Sequence, residues 1–132
     1  MKILYFWDAY CGWCYGFDKL FTEFYKDHTD IEIDIISGGL FIGENSKKIG
    51  EYTYIAEGNK QISEMYNIEF GEGYKKVLEE GEMVLNSVHP AIAMDMVKEL
   101  IPNSQILHFA YDVQCKFFIE GKSLSDVQTY VE

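Results

Sequence analysis

Cysteine, proline and positive charge are all scarce in this chain, and each scarcity closes off a class of protein. Three cysteines in 132 residues are an odd number and too few for a disulfide-built scaffold. Any paired use of them therefore reads as catalytic or metal-binding. Lysine plus arginine total 11 against 22 aspartates and glutamates, a formal charge of −11. That balance argues against nucleic acid or an anionic membrane as partner. No apolar run approaches the ~20 residues of a membrane span. The short stretch between Met1 and Asp8 leaves no room for a secretory signal, so a cytoplasmic location is expected. Repeats, low-complexity tracts and linkers are absent too, which bounds the chain to one domain or a small domain with an insertion.

What is present is apolar and aromatic. Hydrophobic residues make up 48% and aromatics 16%, enough for a substantial core. Lys2 to Trp7 reads as a strand apolar on both faces, which suits a central position. A helix from about Gly12 to Asp27 follows, with Phe17, Leu20, Phe21, Phe24 and Tyr25 at the spacing of one face. Ile31 to Ile36 alternates apolar and acidic and ends at the paired glycines Gly38 and Gly39. Strand, helix-length crossover and strand make a βαβ unit with a parallel pair.

After Gly43 the pattern is helical. The periodicity predicts a helix over Ser46 to Tyr66, with a kink at Gly58-Asn59, and a short one over Tyr74 to Glu80. Pro90 is placed to open a helix at its first position, with His89 outside it and Ala93, Met96, Val97, Leu100 and Ile101 on one inward face. Pro102 breaks that helix, another runs from Gln105 to near Gly121, and Ser123 to Asp126 reads as a capping box opening one more.

The stretch of chemical interest is Asp8-Ala9-Tyr10-Cys11-Gly12-Trp13-Cys14. Two cysteines three residues apart at a strand-to-helix junction have the layout of a redox dithiol. Unpaired N–H groups and the positive end of the helix dipole favour a thiolate there, and the thiolate is the nucleophile. On this reading Cys11 is the exposed nucleophile at the helix entry and Cys14 the covered thiol that resolves the mixed disulfide. The alternatives are half of a zinc site and two structural cysteines. A zinc site would need further ligands from Cys115, His28, His89 or His108, none of which forms a second close pair. Asp8 is a candidate for tuning the thiols or relaying protons to Cys14, against the reading that it ends the strand or caps the helix. Tyr10 and Trp13 occupy the turn itself and could offer an apolar platform to substrate chains, or simply pack. Cys115 shares a helix face with Leu107, Tyr111 and Phe118 and reads as a small buried hydrophobe.

The string from Asp8 through Cys11-Gly-Trp-Cys14 to Phe17 resembles the active-site segment of DsbA-like thioredoxin-fold proteins. It is most similar to the FrnE-like branch of predicted protein-disulfide isomerases. Ser37-Gly38-Gly39-Leu40 and Ser87-x-x-Pro90-Ala91 fit that branch in the same order along the chain. The resemblance implies a thioredoxin-like α/β fold of the DsbA type, with a βαβ part over residues 1–44 and a helical insertion over 45–132. It implies a thiol–disulfide oxidoreductase or disulfide isomerase acting on protein or small-thiol disulfides. The redox group would be the Cys11–Cys14 disulfide, with glutathione as co-substrate and no metal or organic cofactor. A full protein of this family returns to the sheet with two further strands, the first led by a cis-proline. Neither Pro90 nor Pro102 precedes a β-rich run, so the expectation is a truncated chain with a two-stranded sheet, or a homodimer covering the open edge. The competing reading within the superfamily is a glutathione-dependent isomerase or kappa-type transferase, which generally has a serine at this turn in place of a cysteine pair. Outside it, the competitor is a non-enzymatic zinc- or partner-binding fragment.

Overall fold

The structure is a computed structural model and describes residues 1–131. Strand β1 (Lys2–Trp7) leads through the active-site turn into helix α1 (Gly12–Tyr25), and β2 (Glu32–Ser37) follows. The two strands pair in parallel, from Lys2 opposite Glu32 to Trp7 opposite Ser37, with α1 as the crossover such a pair requires. They form a two-stranded sheet, as the sequence predicts.

The two edges of this sheet are treated differently. On β2 the outer edge is occupied by side chains. The Asn103 amide both accepts from the Ile33 N–H (3.0 Å) and donates to its carbonyl (2.6 Å), as a neighbouring strand would. Lys98 donates to the Ile35 carbonyl (2.8 Å) while pairing with Asp34 (2.9 Å). On β1, Met1 O accepts from the Glu32 N–H and Trp7 O from the Gly38 N–H, so the odd-numbered residues turn their backbone groups toward β2. The even-numbered residues therefore turn their backbone groups to the other edge, which has no strand beside it among the described residues.

Among the described residues only one face of the sheet is covered. Ile3, Tyr5, Trp7, Ile33 and Ile35 pack inward, whereas Leu4 and Phe6 point out and Phe6 is 66% exposed. This corrects the expectation of a strand buried on both faces. An apolar strand reads as central whatever lies opposite it, and here no second layer lies on the outer face among the described residues.

The helical part departs from the periodicity in instructive places. The predicted helix over Ser46 to Tyr66 begins only at Ile55, as α2 (Ile55–Tyr66). Two 3-10 turns, Gly43–Asn45 and Ile49–Glu51, precede it. Their segment spends its backbone groups on the chain beyond helix α3 (Glu72–Glu80). Ile49 N–H donates to Met83 O (2.7 Å), Gly50 N–H to Gly81 O (3.1 Å), and Leu85 N–H to Lys47 O (3.1 Å). Gly58 lies inside α2 without interrupting it. Helix α4 (Val88–Lys98) starts two residues before Pro90, with His89 helical, because the whole first turn has no intrahelical acceptors to lose. Its buried residues are Pro90 and Met94, while Met96 and Leu100, expected inward, are exposed. After α5 (Ile106–Phe118) the expected last helix is a 3-10 turn, Val127–Tyr130, with Asp126 accepting from the Gln128 N–H (3.0 Å). Hydrogen bonds from Tyr130 to Leu124 O (2.5 Å) and from Thr129 to Ser123 O (2.7 Å) fold this segment back on itself.

The core lies between the covered face of the sheet, α1 and α5. Helix α5 buries Ile106, Leu107, Ala110, Val113, Gln114, Phe117 and Phe118, an unbroken stripe at helical spacing. Phe118 stacks on Tyr15 of α1 (centroids 4.8 Å apart) and meets Tyr74 of α3 edge-on. Phe118→Ala should therefore cost about 3–5 kcal/mol. Phe6→Lys, on the bare face, should stay within about 0.5 kcal/mol of the parent chain. Urea unfolding of both variants checks the assignment of inside and outside.

Candidate active site

The turn between β1 and α1 is held by Asp8. Its buried carboxylate accepts from the Tyr10 N–H and the Leu40 N–H, each at 2.9 Å, and its carbonyl accepts from the Cys11 N–H (3.1 Å). One acidic side chain thus ties the start of α1 to the loop after β2. Cys11 itself is the extended residue that caps α1, and its carbonyl takes the Tyr15 N–H (3.1 Å). From there the first N–H groups of the helix, which have no acceptor within it, point toward the Cys11 sulfur.

Both thiols are half-buried and free. Their acidities diverge. The Cys11 thiol is lowered to about 7, first by a hydrogen bond from Cys14 and further by the N–H groups of Cys14 and Trp13, against burial and the nearby Asp8 charge. Cys14 is pushed up, first because it donates that bond to Cys11 and then by burial. Cys11 is the more acidic thiol and Cys14 the one that holds its proton, although the two are covered to a similar degree. The sequence-based picture of an exposed and a covered thiol is replaced by an electrostatic difference.

Of the two aromatic residues in the turn, only Trp13 is on the surface, 40% exposed and edge-on to Tyr66. Tyr10 is in the core against Phe41 and Phe117, and its hydroxyl accepts from the Leu124 N–H (2.9 Å). It anchors the chain after α5 and offers no platform. Beside Cys11 a cavity of about 180 Å³ opens between the turn, the Leu40 loop and α2, lined by Trp13, Leu40, Phe41, Ile55 and Ile62 with Asn59 as a polar group. Helix α2 comes close because Gly12 and Gly16 have no side chains. A Cβ at Gly16 would meet the Tyr66 ring at 2.5 Å, and one at Gly12 the Ile62 Cδ1 at 2.8 Å.

One functional candidate escaped the sequence reading. Asp18 is fully buried (0% exposed) on the face of α1 that carries Cys14. It accepts a hydrogen bond from the Tyr5 hydroxyl and another from the Trp7 indole (3.2 Å). Gln114 of α5 completes the set when its amide nitrogen faces Asp18 and its oxygen accepts from the Tyr15 N–H (3.2 Å). Burial lifts the Asp18 carboxyl to about 7, with a smaller push from Cys11, against the bonds from Tyr5 and Trp7. The signal was present in the spacing. Residues 11, 14 and 18 lie on one side of a helix, and an aspartate there is out of place on an apolar face.

The other candidates lie apart from the dithiol. Cys115 is half-buried against the core with its thiol raised by burial. His28 bonds the Phe24 carbonyl, His89 meets Ser125 (2.8 Å) and His108 pairs with Asp112 (3.3 Å). Among the described residues no three of His, Cys, Asp and Glu converge as a metal site would need. No helix there is long and apolar enough to cross a membrane.

The architecture defines the class: an α/β protein with the thioredoxin-like fold of the DsbA type, a βαβ unit followed by helices. The solved structures it resembles are of this kind. Over 97% of the chain it superposes on 60% of the cytosolic disulfide reductase DsbM from Pseudomonas aeruginosa, with a TM-score of 0.81 and 21% identity. The same protein solved with GSH gives 0.80 at 20% identity. A protein disulfide isomerase candidate from Nitrosomonas europaea gives 0.71 at 15% identity, covering 96% of this chain and 59% of that one. The chain thus spans about three fifths of the length of these proteins. No protein-family model matches it, and no curated protein matches it in sequence.

Two expectations follow. Alkylation of Cys11 should rise with a midpoint near pH 7, below the ~8.5 of a free thiol, while Cys14 and Cys115 react only at higher pH. Cys14→Ala should move the Cys11 midpoint up, since the Cys14 hydrogen bond is the main cause of its acidity; mass mapping against pH reads both. The second concerns stability. Asp18 is raised in the folded state, so it binds a proton there that the unfolded chain has already lost, and its contribution to stability falls between about pH 4 and 7. The stability of Asp18→Asn relative to the parent should therefore rise with pH across that window, by about 1.4 kcal/mol per unit at most, in denaturant unfolding at a series of pH values.

Proposed function

We propose that this chain is a thiol–disulfide oxidoreductase working through Cys11-Gly12-Trp13-Cys14. The observation that carries the reading is the split in acidity within one hydrogen-bonded pair: Cys11 near 7, Cys14 well above its ordinary value. At neutral pH that pair holds one thiolate and one proton, which is the state a dithiol reductant needs. The Cys11 thiolate attacks a substrate disulfide, giving a mixed disulfide and releasing one substrate thiolate. Cys14 then attacks the Cys11 sulfur, closing the internal disulfide and releasing the second. Two electrons pass from the protein dithiol to the substrate, and a thiol reductant restores the pair.

The fold shared with a cytosolic disulfide reductase supports this direction of chemistry and a cytoplasmic setting, where a glutathione pool keeps thiols reduced. A relative in fold has been solved with GSH, which supports glutathione as the small-thiol partner. The apolar cavity beside Cys11 suits the uncharged parts of a substrate chain or of glutathione. The transferase-like reading is less well supported, because a stable glutathione site has no use for a second thiol hydrogen-bonded to the first.

Mass spectrometry after exposure to oxidised glutathione tests the proposal. The parent chain should lose two hydrogens, with the disulfide mapped to Cys11–Cys14. Cys14→Ser should retain one glutathione on Cys11, and Cys11→Ser should do neither. A glutathione adduct that persists in the parent chain would favour the transferase reading and overturn this one.

A further inference from the structure

We propose that Asn59 of α2 and Tyr74 of α3 form a peptide-gripping subsite beside Cys11, which selects disulfides carried on extended, uncharged, apolar segments of polypeptide. The inference rests on the thiol–disulfide reading above and names the substrate class of that same site.

The cavity beside Cys11 holds about 180 Å³, and its walls are mainly apolar. A cavity of ~150 Å³ with such walls takes up benzene, so this one has room for a leucine or phenylalanine side chain. Not one of the lining residues is a lysine, arginine or histidine. Glutathione carries a carboxylate at each end, and neither would find a counter-charge on these walls. An apolar side chain of a polypeptide suits the space better.

The polar part of the wall is a pair. The Asn59 amide donates to the Tyr74 hydroxyl (2.9 Å). Among the described residues no donor reaches Asn59 Oδ1 and no acceptor takes the Tyr74 hydrogen, although Tyr74 is only 2% exposed. One free acceptor and one free donor thus stand side by side at the cavity. Swapping the Asn59 amide would exchange the two roles and still leave one of each. Asn59 Oδ1 lies against the active-site turn, 3.6 Å from where a Cβ on Gly12 would be, one residue from Cys11.

An extended peptide residue carries the complementary pair, because its N–H and C=O point to the same side. This chain already grips one residue in that way. The Asn103 amide accepts from the Ile33 N–H and donates to the Ile33 carbonyl. Asn59 and Tyr74 hold out the same kinds of atom to the substrate half-cystine or the residue after it.

Gly58 keeps the space open. It lines the cavity on the side of α2 that also carries Ile55 and Ile62, about one turn away in either direction. Gly12 and Gly16 are enforced by the close approach of α2, whereas a Cβ at Gly58 would meet nothing within 4 Å. Glycine inside a helix is less favourable than alanine, and packing does not demand it here. Room for a substrate side chain is the use that remains. Transfer itself is unchanged: Cys11 Sγ bonds to the half-cystine sulfur, and the other half of the substrate leaves as a thiolate.

The test follows thiol release from the symmetric disulfide of acetyl-Leu-Cys-Leu-amide by the reduced full chain. Hydroxyethyl disulfide, which has neither amide nor side chain, is the reference, and the readout is the ratio of the two rate constants. In Tyr74→Phe and in Asn59→Ala that ratio should fall about 10-fold. Gly58→Leu should unfold in urea no earlier than the parent and lower the ratio as strongly. Should a variant fail to fold, substrate chemistry decides on the parent chain. The N–H of the cysteine and that of the leucine after it are replaced in turn by an ester oxygen, and one of the two changes should slow release about 10-fold. A ratio that survives all three substitutions, or two esters that both react as fast as the amide, overturns the subsite. Oxidised glutathione reacting as fast as the peptide overturns it too. No release from either the peptide or the reference overturns the oxidoreductase reading instead.

Discussion

Everything at the candidate site depends on how α1 is wedged between the covered face of the sheet and α5. This helix is apolar on nearly every side, so its orientation is set by what it packs against. Tyr15 stacked on Phe118, and Asp18 engaged by Tyr5, Trp7 and Gln114, fix its rotation. Gly16 lets α2 approach from the remaining side. With the rotation fixed, Cys14 faces the buried polar cluster and Cys11 faces the cavity mouth. The same helix that carries the thiols therefore decides which of them is an anion.

Two buried aspartates near the dithiol are accommodated in different ways. Asp8 has both carboxylate oxygens occupied by backbone N–H groups and works as a clamp, joining the turn to the loop at Leu40. Asp18 is surrounded by side-chain donors and sits where its charge opposes the thiolate. The first arrangement is a structural solution to a turn whose backbone would otherwise lack partners. The second is a liability for stability, and such liabilities collect at functional sites.

The sheet is economical. Its outer β2 edge is blocked by Asn103 and Lys98, which supply the hydrogen bonds a third strand would have made. The β1 edge and the face bearing Leu4 and Phe6 have no such cover among the described residues. The solved proteins of this fold extend for roughly two fifths of their length beyond the shared part. The dithiol, its clamp and the buried acid all lie within the part that this chain has.

The sequence by itself determined what depends on neighbours along the chain. The Cys-x-x-Cys spacing, the strand before it and the helix after it are local patterns. Those features are legible because periodicity and turn chemistry act over a few residues. The side of α1 that is buried was not legible, since Phe17, Leu20 and Phe24 are as apolar as Tyr15, Phe21 and Tyr25 and only the position of α5 separates them. The same holds for β1, whose outer face is bare because none of the described residues packs there, and for residues 46–54, whose backbone bonds to a segment some thirty residues away displace a helix that the spacing allows. At the site, sequence could name Cys11 and Cys14, but not the split in their acidities or the aspartate beneath them. Those are properties of distance and burial, and Tyr5, Asp18 and Gln114 come from three separate elements that meet only when the chain has folded.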